Sequence, residues 1–106
     1  MRKQTLYRKI KNILVDLYGD RLRGVILFGS EARGDAGPDS DIDVLVVLNG
    51  RIDFLREMRR ITHALYDLET DTEPYRPINA LPISARNFES RDYPMFREVK
   101  KEGVWL

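Results

Sequence analysis

The stretch GSEARGDAGPDSDID, residues 29–43, decides how this 106-residue chain is interpreted. It begins with Gly29-Ser30, directly after an apolar run, and ends with Asp41-Ile42-Asp43, which opens another. The intervening residues are rich in glycine, aspartate and serine, which predicts a loop between two strands, with one helical turn from Ser30 to Arg33. We expect the turn, the loop and the acidic pair to stand together in one site.

Asp41 and Asp43 form the part of this site that carries metal chemistry. Side chains alternate along a strand, so both carboxylates point to the same face, with Cα atoms about 6.5–7 Å apart. Two adjacent carboxylates repel each other, and a divalent cation removes that cost. The chain has no cysteine and only His63 as a histidine, so oxygen ligands must dominate. They favour Mg²⁺ or Mn²⁺.

Gly29, Ser30 and Arg33 are the candidate phosphate ligands. Gly29 lets a phosphate approach the backbone without a Cβ in the way. Ser30 offers a hydroxyl at the start of a helical turn, where backbone N–H groups favour an anion. Arg33 is placed to add a charge-assisted contact. A nucleoside triphosphate at this turn and a metal at the acidic pair would share one site.

The other acids of the loop carry weaker signals. Asp35 and Asp39 are interpreted as loop and turn residues rather than ligands. Glu31 is left open between a solvated position on the helical turn and a contact near the site.

Working outward, apolar periodicity predicts an α/β domain in which helices pack on a small mixed sheet, with residues 1–106 as a single domain. The third strand is expected at an edge, because Pro77 and Pro82 disfavour a central position. Ser84 is expected to cap a short turn that runs to Phe88. The predicted elements are a helix at 5–18, strands at 24–28 and 41–48, a helix at 53–68, a strand at 78–83 and a final helix at 93–101.

Composition narrows the class of protein. Hydrophobic residues make up 42% and charged residues 33% of the chain, a balance typical of a globular domain. A net charge of +1 gives no general attraction to nucleic acid. No apolar run is long enough to span a bilayer, and the N-terminus does not resemble a signal peptide, so a cytoplasmic protein is expected.

Gly29-Ser30, followed after ten residues by Asp41-x-Asp43, resembles the signature of the DNA polymerase beta nucleotidyltransferase superfamily. The flanking residues and the closing segment 94–104 resemble its minimal, single-domain members. The resemblance implies transfer of a nucleoside monophosphate, often AMP from ATP, to a hydroxyl, with Asp41 and Asp43 as catalytic metal ligands. Some minimal members are antitoxins that pair with a helical HEPN-type toxin, and some AMPylate it.

One feature departs from that family pattern. Members usually carry a third carboxylate on a following strand, which completes the metal site or acts as general base. The third predicted strand has Asn79 there, and an amide cannot take a proton at neutral pH. Asp71 or Glu73 could fold into the site instead. Two hypotheses follow: a nucleotidyltransferase, or an antitoxin-like binding module with weak or no catalysis.

Both faces of the second predicted strand are apolar below the aspartates. One side carries Ile42, Val44, Val46 and Leu48, and the other side carries Leu45 and Val47. The predicted helices are not expected to cover both sides of the sheet. A homodimer or a second protein is therefore expected to bury one of them.

Overall fold

The computed structural model describes residues 2–38, 40–73 and 75–106, so that Asp39, interpreted as a turn residue, lies outside the described residues. Helices and strands alternate much as predicted, with a short 3₁₀ helix at Gly19–Arg21 after the first helix. The elements are α1 Lys3–Tyr18, β1 Leu22–Phe28, α2 Ser30–Arg33, β2 Ile42–Leu48, α3 Phe54–Asp71, β3 Ile78–Ser84, α4 Ala85–Ser90, α5 Pro94–Glu102 and β4 Val104–Trp105.

The four strands form one mixed sheet in the order β3-β2-β1-β4. β1 pairs antiparallel with β2 and β4, whereas β2 and β3 run parallel, as strands joined by a crossover helix do. β3 lies at an edge, which confirms the position expected from its prolines. In this register Asp43 lies opposite Phe28 on one side and Asn79 on the other. The α/β class with a small mixed sheet is therefore confirmed.

Helices cover both faces of the sheet. On one face Ile42, Val44 and Val46 are buried in a cluster with residues of α1 and α3. On the other face Leu45 and Val47 are buried with residues of α4 and α5. The expectation that the helices are too few to cover both faces is therefore wrong, because α4 and α5 pack on the second face.

The two long helices follow the apolar periodicity of the sequence, with two exceptions. Phe54 continues the apolar spacing of Ile61, Leu65 and Leu68 along α3, but it is 49% exposed. Glu57, which no pattern singled out, is buried and accepts a hydrogen bond from the Tyr18 hydroxyl at 3.0 Å. Arg21 and Arg60 pair with the same carboxylate. Burial, together with the Glu57 carboxylate, raises the pKa of Tyr18 to about 12. Tyr18, Arg21, Glu57 and Arg60 are called the Tyr18 cluster below.

The apolar residues 104–106 dock on the sheet. Val104 and Trp105 pair with Leu27 and Ile26 of β1, and the Trp105 ring lies where a Cβ on Gly24 would be. Among the described residues, no helix has both the length and the apolar character needed to cross a membrane.

Candidate functional site

The Gly29-Ser30 turn connects the end of β1 to the single helical turn α2, as predicted. Gly29 has φ 71° and ψ −150°, a backbone conformation that is essentially restricted to glycine. The N–H groups of Arg33 and Asp35 donate to the carbonyls of Gly29 and Ser30, each at 3.1 Å. The turn is therefore a defined structure rather than an open loop.

Asp41 and Asp43 are brought together at the start of β2, and Asn79 lies between them. The Asn79 amide nitrogen donates to Asp41 Oδ2 and to Asp43 Oδ1, both at 3.1 Å. Asp41 is exposed and Asp43 is half-buried. One nitrogen thus contacts both carboxylates, which shows that they converge on a common point at the open end of the sheet.

Gly29 and Asp43 are in direct contact, and this contact is a second reason why a glycine is needed at position 29. A Cβ built on Gly29 would lie 2.6 Å from Asp43 Oδ2, closer than side chains approach. From the sequence alone, this glycine is explained by the close approach of a phosphate. The structure adds that it makes room for the carboxylate, so the turn and the acidic pair form one continuous surface.

Arg33 lies on the exposed side of α2, where its Nε is 3.3 Å from Asp35 Oδ2. With Gly29 and residues of α5 it also lines a pocket of about 170 Å³. The Ser40 hydroxyl accepts from the Gly37 N–H at 2.8 Å and shapes the end of the loop. Arg33 is therefore near the turn, but in this arrangement its charge is directed at Asp35.

Glu31 is buried, which the sequence left open, and it anchors α2 to the protein interior. Its carboxylate pairs with Arg76 and accepts a hydrogen bond from the Tyr7 hydroxyl. Lys3 lies 3.7 Å from it. Arg76 also donates from Nε to the Ser40 carbonyl at 2.9 Å. We call the group formed by Tyr7, Glu31 and Arg76 the Glu31 cluster. In the sequence, its one signal is the isolated arginine Arg76 just before a strand.

The donor set fits a hard divalent cation with a mostly non-protein coordination shell. Two carboxylates converge, and the adjacent turn has no side chain in the way, which leaves room for water and phosphate oxygens. Within residues 2–38, 40–73 and 75–106, no group of three or more Asp, Glu or His side chains could hold a metal ion. Neither Asp71 nor Glu73 therefore completes the pair with a third acid in the part of the chain described.

A family model described as the nucleotidyltransferase domain matches residues 7–101. The chain belongs to the nucleotidyltransferase domain family. The turn and the acidic pair described above lie within the matched residues, so the resemblance drawn from the Gly-Ser and Asp-x-Asp motifs is confirmed.

Two curated relatives differ in how much of their own length this nucleotidyltransferase domain spans. A Methanocaldococcus jannaschii protein named "Putative protein adenylyltransferase" is 43% identical over 104 residues, which cover 97% of this chain and 96% of the relative. A Staphylococcus aureus spectinomycin 9-adenylyltransferase is 34% identical over 97 residues, covering 89% of this chain. The chain spans only 36% of that enzyme's length.

Solved structures share the fold of the domain. A crystal structure described as a putative nucleotidyltransferase from Sulfolobus solfataricus superposes with a TM-score of 0.67 at 21% identity, covering 95% of this chain and 76% of the other. A toxin-antitoxin structure with AMP-PNP gives a TM-score of 0.64 at 17% identity, with 98% and 72% covered. At these identities the likeness shows the fold alone.

Replacing Asn79 with aspartate should make Mg²⁺ binding tighter and the metal-free protein less stable. The change turns an amide donor into a third carboxylate beside Asp41 and Asp43. In the metal-free protein this increases the repulsion among the carboxylates, and in the metal-bound protein it adds a negative charge to the ligand set. We expect the free energy of unfolding of the metal-free protein to fall by about 1 kcal/mol, which lowers its Tm by about 4–8 °C. The affinity for Mg²⁺ should rise roughly tenfold.

Thermal melts and calorimetric titrations with Mg²⁺ and Mn²⁺ measure both effects. Asn12→Asp is the matched control, since Asn12 is exposed on α1 and the charge change is the same. Equal responses of the two variants to Mg²⁺ would show that Asn79 is not beside the metal.

Proposed function

We propose that this domain transfers AMP from ATP to an acceptor hydroxyl and releases pyrophosphate, with Asp41 and Asp43 as catalytic metal ligands. One observation carries the proposal: the two carboxylates converge on a single amide nitrogen directly beside the glycine turn. Carboxylates and an open backbone turn in contact are what a metal-bound triphosphate requires.

Each residue has a distinct task in this proposal. Asp41 and Asp43 hold Mg²⁺ or Mn²⁺, which when bound neutralises charge on the phosphates and orients the α-phosphate. Gly29 and Ser30 receive the triphosphate through the backbone N–H groups and the serine hydroxyl. Arg33 leaves Asp35 and pairs with a phosphate oxygen, a charge-assisted contact stronger than the exposed ion pair that it replaces.

Removal of the proton from the acceptor hydroxyl is the step for which the proposed site residues include no general base. The side chain opposite Asp43 is Asn79, which donates to both carboxylates and has no basic site at neutral pH. The acceptor must therefore lose its proton to water, to a phosphate oxygen or to a group that the acceptor molecule brings. We therefore expect the domain to bind nucleotide, but to turn it over slowly when the correct acceptor is absent.

We propose a protein hydroxyl as the acceptor, with a toxin of the HEPN type as the candidate partner. Support comes from the full-length match to a relative named as a protein adenylyltransferase, compared with the 36% of the spectinomycin enzyme that the chain spans. The fold shared with a toxin-antitoxin structure points to the same class of partner. The site of action proposed is the cytoplasm, where ATP and Mg²⁺ are abundant.

Labelled nucleotide tests this proposal. The purified chain is incubated with Mg²⁺ and ATP labelled on the α-phosphate, with a HEPN-type protein or spectinomycin as acceptor, and with γ-labelled ATP in parallel. We expect label on the protein from α-labelled ATP only. Label from γ-labelled ATP would indicate a kinase instead. Tight partner binding without label, in a chain that binds ATP and Mg²⁺, would favour the alternative, an antitoxin or binding module without catalysis.

A further inference from the structure

Arg76 connects the two ends of the loop that carries the candidate site. Its guanidinium pairs with Glu31 on α2, one residue after Ser30. The same guanidinium donates to the carbonyl of Ser40 at 2.9 Å, one residue before Asp41. The next residue, Pro77, accepts from the Ile42 N–H at 2.8 Å. One buried side chain thus contacts the neighbours of both the turn and the acidic pair.

The remaining contacts of the Glu31 cluster keep this connection rigid. The Tyr7 hydroxyl on α1 donates to the second carboxylate oxygen of Glu31. Burial raises the pKa of Tyr7, and the Arg76 guanidinium partly opposes that shift. The hydroxyl therefore stays protonated and keeps donating at neutral pH. The side chains of Glu31 and Arg76 are 1% and 5% exposed, so water does not compete for them.

Stability alone does not explain a buried ion pair at this place. Removing two charges from water costs about as much as their attraction returns, and an apolar pair of similar size is often equally or more stabilising. A buried pair is therefore retained more readily where it sets a geometry. Here the geometry is the distance between the Gly29-Ser30 turn and Asp41.

We propose that Glu31 and Arg76 are positioning residues, which hold the phosphate turn and the metal-binding pair at the separation that nucleotide binding needs. The inference rests on the proposed function for the use of the site. It concerns residues outside the Gly-Ser and Asp-x-Asp motifs. Neither residue is proposed to touch substrate, because both are buried behind α2 and the start of β2.

A double substitution, Glu31→Met with Arg76→Met, separates positioning from stability. It removes both charges together and leaves no buried charge unpaired. We expect the urea midpoint to stay close to that of the wild type, while kcat/KM for ATP falls roughly 10- to 100-fold. Arg76→Lys keeps the charge but cannot reach both partners with a planar fork, and should show an intermediate loss.

The Tyr18 cluster provides the matched control. It is similar in kind, with a tyrosine hydroxyl that donates to a buried glutamate and two arginine partners on that glutamate, but it joins α1 to α3 rather than the two ends of the loop. We expect Glu57→Met with Arg60→Met to keep kcat/KM within about threefold of wild type. An equal loss in the two double variants would overturn the positioning role.

Amide hydrogen exchange tests the same proposal without catalysis. The N–H groups of Arg33 and Asp35 donate to the carbonyls of Gly29 and Ser30. In the Glu31/Arg76 variant their exchange should be at least roughly tenfold faster, with the amide of Val46 unchanged. If the double variant does not fold, Arg76→Lys carries this measurement. Unchanged exchange at both amides overturns the inference, whereas absence of transfer by the wild-type protein overturns only the proposed function.

Discussion

Replacing Asp43 with asparagine should lower AMP transfer from ATP by about a thousandfold or more, which corresponds to about 4 kcal/mol of transition-state stabilisation. Asp43 is one of two carboxylates that converge at the site, and it also contacts Gly29. An amide of the same shape keeps the packing but gives up one of the two carboxylates that we propose as metal ligands. Asp41→Asn should behave in the same way.

The measurement is incorporation of label from α-labelled ATP, together with the rise in Tm that Mg²⁺ and ATP cause in the wild type. Both should disappear in Asp43→Asn, while the Tm without ligand stays the same or rises because a repulsion is removed. Asp92→Asn is the control, since its side chain is 79% exposed in an ion pair with Arg97. A variant at Asp43 that kept a third of wild-type transfer would contradict the assignment.

Replacing Gly29 with alanine should affect stability and activity together. The backbone of Gly29, at φ 71° and ψ −150°, is strained for any residue with a Cβ. The added methyl would also lie 2.6 Å from Asp43 Oδ2 and must displace it. We expect the free energy of unfolding to fall by about 1–3 kcal/mol. Transfer should fall roughly a hundredfold because the carboxylate moves.

Gly50→Ala distinguishes these two effects. Gly50 has φ 81°, so alanine is strained there as well, but nothing lies within 4 Å of the added Cβ. Denaturant unfolding should show a loss of stability in both variants, and the transfer assay should show a loss of activity in Gly29→Ala alone. If both variants transferred AMP equally well, the contact between Gly29 and Asp43 would have no functional role.

Local patterns were sufficient to predict the longer helices and strands and the shared face of Asp41 and Asp43, although β4 was not predicted. Alternation along β2 places Asp41 and Asp43 on one face, and the break after Phe28 marks the turn. These signals depend on residues close together in the chain. The edge position of β3 and the cap at Ser84, whose hydroxyl accepts from the Asn87 N–H at 3.1 Å, follow from single residues with strong backbone preferences.

The interior of the site could not be predicted in this way. Glu31 and Glu57 look like surface residues in sequence, because glutamate is rarely buried unless it is paired. Their partners are far away in the chain: Tyr7 reaches Glu31 across 24 residues, and Tyr18 reaches Glu57 across 39. The coverage of both sheet faces was also missed, since it depends on how the short helices α4 and α5 pack.

The parallel pairing of β2 with β3 has a consequence for how the domain folds. β1, the turn and β2 form a hairpin that can assemble from neighbouring residues. Asn79 and Arg76 follow the long crossover through α3, so we expect them to join the hairpin only after that crossover has closed and placed Asn79 beside Asp43. Long-range parallel pairing is a slow and late event.

The acidic pair and its supporting residues therefore assemble at different times. An early hairpin would already carry Gly29, Asp41 and Asp43, but the contacts from Arg76 and Asn79 would be absent. We then expect nucleotide affinity to appear when β3 pairs with β2, and not when the earlier hairpin of β1 and β2 forms. Local opening of β3, which lies at an edge of the sheet, would switch off the site while most of the core stayed intact.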